Sequence, residues 1–314
     1  MCCCCCPPAI TALFCLWVQS GFSKGTVAGA LTFFPPEPAL YKFDRVDENG
    51  NPVPEDKDVD EDDKKTEEND LALNGGDDEL AEQRQQEAPA PASGGSGESK
   101  EKMKSPAQQL TDRAKELRQR AKKRNERDAR DAKNNVKYRL VLDPRLPTPV
   151  FDAGAVQCVK CPSKKGVYVA AVIYKVPSNL VTENTKTLIY SHGNATDVGA
   201  MFSLQAIIAH SLECNVVSYD YSGYGESGGV PMEANTYTDI AAVYDYTLKN
   251  IAQDDPSKIV LYGQSVGSGP CCHLAMRNHG VGGMILHSPF TSGMRVLTPS
   301  RYVFYGKSKD WHVV

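Results

Sequence analysis

Ile259-Val-Leu-Tyr-Gly-Gln-Ser-Val-Gly-Ser-Gly269 is the stretch that decides the fold. A β-branched run ends in Gly263-Gln264-Ser265-Val266-Gly267, and small residues in a helical pattern continue to about Arg277. This reads as a strand, a sharp turn and a helix, with the Ser265 hydroxyl standing clear of the sheet edge at the start of the helix. The glycines two places either side of the serine have a steric reason. The turn is strained, and a side chain at Gly263 or Gly267 would strike the neighbouring strand or helix.

Working outward, Thr187-Leu-Ile-Tyr-Ser191 reads as a short buried strand that runs into His192-Gly-Asn-Ala-Thr-Asp197. An apolar helix at about 201–212 follows, then strand Asn215-Val-Val-Ser-Tyr-Asp220, a glycine-rich loop to Gly229, and a helix over about 232–249. The last clear strand is Val281-Gly-Gly-Met-Ile-Leu-His287. Strands alternating with helices predict a parallel sheet with helical crossovers, whose active site lies at the carboxyl ends of the strands. Both the His-Gly-Asn loop and Ser265 fall there. Ahead of them, residues 156–160 and 166–174 are strand candidates joined by a turn at 162–166.

The chemistry this pattern serves is acyl transfer. A serine hydroxyl attacks a carbonyl, and the oxygen that becomes negative needs preorganised donors. Val266 N–H, at the helix start, is the natural first donor, and Asn194 N–H the second, with Ala195 N–H as its competitor. His192 reads as a residue that fixes its loop rather than as the base, which comes last in this chain order. Asp220 reads as a structural residue of the glycine turn. That loop lacks the position of a dinucleotide fingerprint and the Gly-Lys-Ser/Thr of a phosphate loop. Cys158 and Cys161 sit in strand pattern without a second pair at zinc-knuckle spacing, so a metal or redox reading is the weaker one. The reaction so read calls for no cofactor and no metal.

The chain has 314 residues and a formal net charge of -4, which hides a strong asymmetry. Residues 44–80 carry 16 Asp/Glu against 4 Lys/Arg, whereas residues 107–133 carry 10 Lys/Arg against 5 Asp/Glu. The acidic stretch holds too few large apolar residues to repay its ordering entropy and reads as disordered, followed by a Pro/Ala/Ser/Gly linker. Residues 106–133 have a thin apolar stripe and read as a solvated helix. Attraction to an acidic surface is an alternative, and nucleic-acid binding is disfavoured because no aromatic platform accompanies the charge. The expected organisation is an anchoring segment and Pro-rich lead-in at 1–43, a charged and largely disordered insertion at 44–149, and the enzyme-like domain at 150–314.

Five of the eleven cysteines, Cys2, Cys3, Cys4, Cys5 and Cys6, stand together at the N-terminus. Adjacent cysteines and an odd total argue against a disulfide framework and for a reducing compartment. The apolar run at 9–18 is too short to cross a bilayer, and the positive start of a signal peptide is missing. Thiols beside an apolar patch suit S-acylation, and several acyl chains hold a protein on a membrane surface.

Together His192-Gly-Asn-Ala-Thr-Asp197, Tyr219-Asp-Tyr-Ser-Gly-Tyr-Gly-Glu-Ser-Gly228, Leu261-Tyr-Gly-Gln-Ser-Val-Gly-Ser-Gly-Pro270 and His287-Ser-Pro-Phe-Thr-Ser-Gly-Met-Arg-Val296 closely resemble the α/β-hydrolase domain-containing protein 17 family. The cysteine cluster and Phe34-Pro-Pro-Glu-Pro38 extend that resemblance, which covers roughly residues 1–43 and 150–296. It implies an α/β-hydrolase fold, a mostly parallel sheet with helical crossovers. It also implies a serine hydrolase that removes palmitate from cysteines of membrane-associated proteins through an acyl-Ser265 intermediate. By the same resemblance its partners are S-acylated membrane proteins and the membrane itself, at the cytoplasmic face of the plasma membrane or endosomes, with no nucleic acid. A lipid or small-ester hydrolase, a peptidase of the same fold, and a catalytically inactive membrane-tethered binding protein are the rival readings. The family takes its acid and base from loops after two later strands, beyond Val296. Residues 297–314 hold no strand–loop–strand to supply them, and Asp310 and His312, beside Trp311, are poor substitutes. The expectation is a domain lacking its last strands, in a C-terminally truncated copy of the enzyme.

Overall fold

The computed structural model of the chain describes residues 32–53, 106–147 and 155–290. The chain divides into two units, Met1–Val53 with Ala114–Val314, and Pro54–Arg113. Of the second only residues 106–113 are described, as the opening turns of a helix.

Among the described residues eight strands form one sheet: β1 (Tyr41–Val46), β2 (Lys137–Leu142), β3 (Val156–Pro162), β4 (Tyr168–Tyr174), β5 (Thr187–Ser191), β6 (Asn215–Tyr219), β7 (Ile259–Gln264) and β8 (Gly283–His287). Their spatial order is β1-β2-β3-β4-β6-β5-β7-β8. The joints from β1 through β4 to β6 are antiparallel, and β6, β5, β7 and β8 run parallel. The helices are α1 (Pro106–Lys133), α2 (Val198–Ser211), α3 (Glu233–Asn250) and α4 (Ser268–Arg277).

Every residue of β5 is buried, as its unbroken apolar run requires of a strand covered on both faces. On one face Phe202, Ala206 and Ala209 of α2 pack with Tyr41, Phe43, Val172, Tyr174, Leu188 and Tyr190. On the other, Ile240 and Val243 of α3 and Cys271 and Leu274 of α4 pack with Val169, Ile173, Ile189, Val217 and Leu261. The crossover from β5 to β6 runs one way along the sheet and the crossovers from β6 to β7 and β7 to β8 run the other. Right-handed connections therefore place α2 on one face and α3 with α4 on the opposite one.

Two features differ from the sequence reading. The folded unit begins well before residue 150, because β1 and β2 lie within or across the boundary of the stretch read as a disordered insertion at 44–149. They pair antiparallel in full register from Tyr41 with Leu142 to Val46 with Lys137. Their period-2 apolar sets, Tyr41 and Phe43 with Tyr138, Leu140 and Leu142, face the same core, but dense surrounding charge obscured the alternation. The antiparallel part of the sheet is larger than expected for this reason. The second correction concerns α1. The helix spans the residues foreseen, yet its C-terminal half is not merely solvated, since Asp128 and Asp131 are fully buried.

Cys158 and Cys161 occupy β3 and enter core clusters on opposite faces of the sheet, so the pair cannot grip one ion. Burial pushes both thiols up to about 12.

Candidate active site

β7 ends at Gln264, and the chain turns through Ser265–Gly267 into α4. Ser265 adopts φ 51°, in the left-handed region that β-carbon sterics disfavour. The turn survives because its neighbours leave room only for hydrogen at two points. A Cβ on Gly263 would lie 2.7 Å from Gly267 O and 2.8 Å from Ser268 Cα. A Cβ on Gly267 would lie 2.7 Å from the Ser191 carbonyl carbon and 2.9 Å from His192 O, at the end of β5. The Ser268 hydroxyl donates to Ser265 O over 2.6 Å and closes the turn. Ser265 itself is half-buried, and Val266, whose N–H opens the turn, is buried.

Ser265 lies where the strand order reverses. β5 has β6 on one side and β7 on the other, so the loops leaving β5 and β7 enclose a crevice at their carboxyl ends. The loop after β5 approaches closely there: a Cβ on Gly193 would sit 3.9 Å from Ser265 Cβ. The structure thus brings Gly193, Asn194 and the elbow together.

The loop is held from beneath. His192 is fully buried, its Nδ1 lies 2.7 Å from Gly193 O, and its ring packs on Tyr221 with centroids 4.5 Å apart. A carbonyl oxygen only accepts, so Nδ1 carries the hydrogen. Nε2 stands 3.0 Å from Asp220 Oδ1, without hydrogen-bond alignment. Tyr221 OH donates to His192 O over 2.6 Å. Asp220 is a hub: Oδ2 accepts from Tyr41 OH at 2.5 Å and Oδ1 from Val198 N–H at 3.1 Å. Burial first, and the Asp220 charge second, drive the Tyr41 phenol well above its ordinary value. Asp197 caps α2 through Ala200 N–H at 2.8 Å and also accepts Leu40 N–H at 2.7 Å.

The glycine loop after β6 is gripped by α1. Arg124 donates to Gly225 O and Ser227 O, and the Asn125 side chain accepts Gly229 N–H. Arg127 pairs with Glu226 at 3.0 Å, while Lys160 pairs with Asp128 at 3.0 Å and donates to Glu226 O. Asp131 binds Arg45 at 2.6 Å and Tyr138 OH at 3.2 Å. Burial alone would raise the Glu226 carboxyl, but Arg124, Lys160 and Arg127 outweigh it and hold the group at about 2. The sequence reading missed these residues. The one available signal was the alternation at 41–46, since the partners are brought together only by the sheet.

Among the described residues Ser265 Oγ makes no hydrogen bond, and the His192 ring is buried and bonded through Nδ1 to the Gly193 carbonyl. His287, at the end of β8, has its Nδ1 3.0 Å from Tyr262 OH. Asp310, His312 and the cluster Cys2 to Cys6 lie outside the described residues.

A sheet of this order, with a strained serine turn after one parallel strand facing a His-Gly loop after its neighbour, is an α/β-hydrolase fold. Residues 182–305 match the family model described as "Serine aminopeptidase, S33". The chain is 41% identical to human alpha/beta hydrolase domain-containing protein 17B over 145 residues, 46% of this chain and 48% of that protein. It is 50% identical to Caenorhabditis elegans alpha/beta hydrolase domain-containing protein aho-3 over 113 residues, 36% of this chain and 33% of that one. The matches thus span half or less of these curated relatives. Among solved structures, an alpha-beta hydrolase from Vibrio vulnificus aligns with a TM-score of 0.41 at 19% identity, over 51% of this chain and 58% of that one.

Proposed function

We propose that Ser265 is the nucleophile of an acyl hydrolase, with Val266 N–H and Asn194 N–H as oxyanion donors. The observation that carries this reading is the left-handed Ser265 turn directly opposite Gly193. In the first step Oγ attacks the acyl carbonyl and the hydroxyl proton leaves to a base. The carbonyl oxygen takes the charge between the two amides, and collapse expels the leaving thiolate, which is protonated. Water then cleaves the acyl-serine to a free acid and restores the hydroxyl. Among the described residues no histidine is hydrogen-bonded to Ser265 Oγ; His192 and His287 bond Gly193 O and Tyr262 OH instead.

The substrate proposed is a long-chain acyl thioester on a cysteine of a membrane-associated protein. Similarity to the protein 17 relatives and the cysteine cluster Cys2 to Cys6 support it, since acylated cysteines would confine enzyme and substrate to one surface. The description of the matched family model favours one rival, a peptidase.

The test takes the full-length protein. Ser265 is expected to label with a fluorophosphonate, with labelling lost in Ser265→Ala, and a palmitoyl thioester peptide on vesicles is expected to turn over faster than an aminoacyl amide. No labelling ends the nucleophile reading, and preference for the amide hands the function to the peptidase.

A further inference from the structure

We infer that the lead-in peptide around residues 32–41 is a positioning element of the oxyanion loop, acting through the side chain of Asn194. The inference rests on the reading of Ser265 as nucleophile. Asn194 Nδ2 donates to Thr32 O at 2.6 Å, and its Oδ1 accepts Phe34 N–H at 3.0 Å and Tyr224 OH at 2.8 Å. A backbone carbonyl and a backbone amide leave one orientation of the side-chain amide, so the strap fixes which end of the Asn194 amide faces Thr32 and which faces Phe34. Phe33 is buried and meets Tyr224 edge-on at 6.4 Å, which pins the strap between the two bonds. Leu40 N–H then binds Asp197 at the far end of the same loop, and Tyr41 OH reaches Asp220 beneath it.

The consequence lies in the peptide between Gly193 and Asn194. Its carbonyl is held at His192 Nδ1. In a planar trans peptide N–H and C=O point in opposite directions, so the Asn194 N–H is turned away from that ring. His192 fixes the carbonyl side of the unit, and the strap fixes the residue that bears the N–H. A donor that is oriented before the charge develops costs no reorganisation during reaction. The peptide leading to the cysteine-rich segment is therefore part of what keeps the hole formed.

The test separates the strap's backbone from its side chain. Phe34 is 54% exposed, so Phe34→Ala is tolerated and keeps the N–H, whereas Phe34→Pro removes the donor to Asn194 Oδ1. Relative to Phe34→Ala, Phe34→Pro is expected to lower kcat on a soluble ester and the fluorophosphonate labelling rate about tenfold, with KM unchanged. Asn194→Asp, which loses the donor to Thr32 O while keeping both acceptor bonds, is expected to do the same relative to wild type, and it decides the matter if the proline variant does not fold. Rates equal to the controls, or a change in KM alone, overturn the proposal while leaving Ser265 intact. A wild type that does not label overturns the nucleophile reading and the proposal with it.

Discussion

Gly267 is the tightest point of the elbow, because a Cβ there would run into the Ser191 carbonyl oxygen at the end of β5, closer than any main-chain atom that a Cβ on Gly263 would meet. Relief would require moving a strand buried on both faces. Gly267→Ala is therefore expected to cost about 3 kcal/mol or more. A urea melt checks this, and a midpoint equal to that of wild type would show that the turn relaxes at little cost. The adjacent Ser265 illustrates the complementary case, a non-glycine residue kept at φ 51° by its surroundings. Strain of this kind costs about 1–3 kcal/mol and persists where structure over-determines it. Quoted as a pattern, the two glycines and the serine were legible without coordinates, since each answers a local steric demand.

At the scale of the element, α1 shows how charge can be mistaken for solvation. Its C-terminal half carries buried Asp128 and Asp131, and with Lys160 and Glu226 it closes an ion network around the glycine loop. Glu226 supplies a pH signature. Its folded value of about 2 lies below the ordinary 4.5, so its contribution is fully present above pH 4.5 and is lost as the pH falls toward 2. The gap corresponds to about 3 kcal/mol. Glu226→Gln should flatten the acid limb of the stability curve between those limits and destabilise the protein at neutral pH. Denaturation midpoints measured from pH 7 to pH 3 check both effects, and parallel curves for the two proteins would exclude the network as their source. The sequence reading placed α1 at its proper residues from the stripe Leu110, Ala114, Leu117 and Ala121 but could not see its docking. That depends on partners about 100 positions away, such as Gly225 and Glu226 for Arg124 and Arg127.

At the scale of the molecule, the sheet order gathers the loops after β5 and β7 into one crevice, and the lead-in peptide runs to that same place. If Cys2 to Cys6 carry acyl chains as proposed, changing all five to serine should shift the protein from the membrane pellet to the soluble fraction. An unchanged distribution would refute the anchor, and among the described residues no helix is long and apolar enough to span a bilayer. By itself the sequence determined the alternation of strands and helices, the serine elbow and the loop that faces it, because periodicity and turn sterics act over a few residues. Tertiary structure alone decided that Tyr41, Asp220 and His192 stand in line under the loop that follows β5, that β1 and β2 extend the sheet, and that Asn194 holds the strap. Those contacts join residues up to 179 positions apart. Only packing of the whole sheet makes them neighbours, because no local rule of periodicity or turn sterics reaches across such separations.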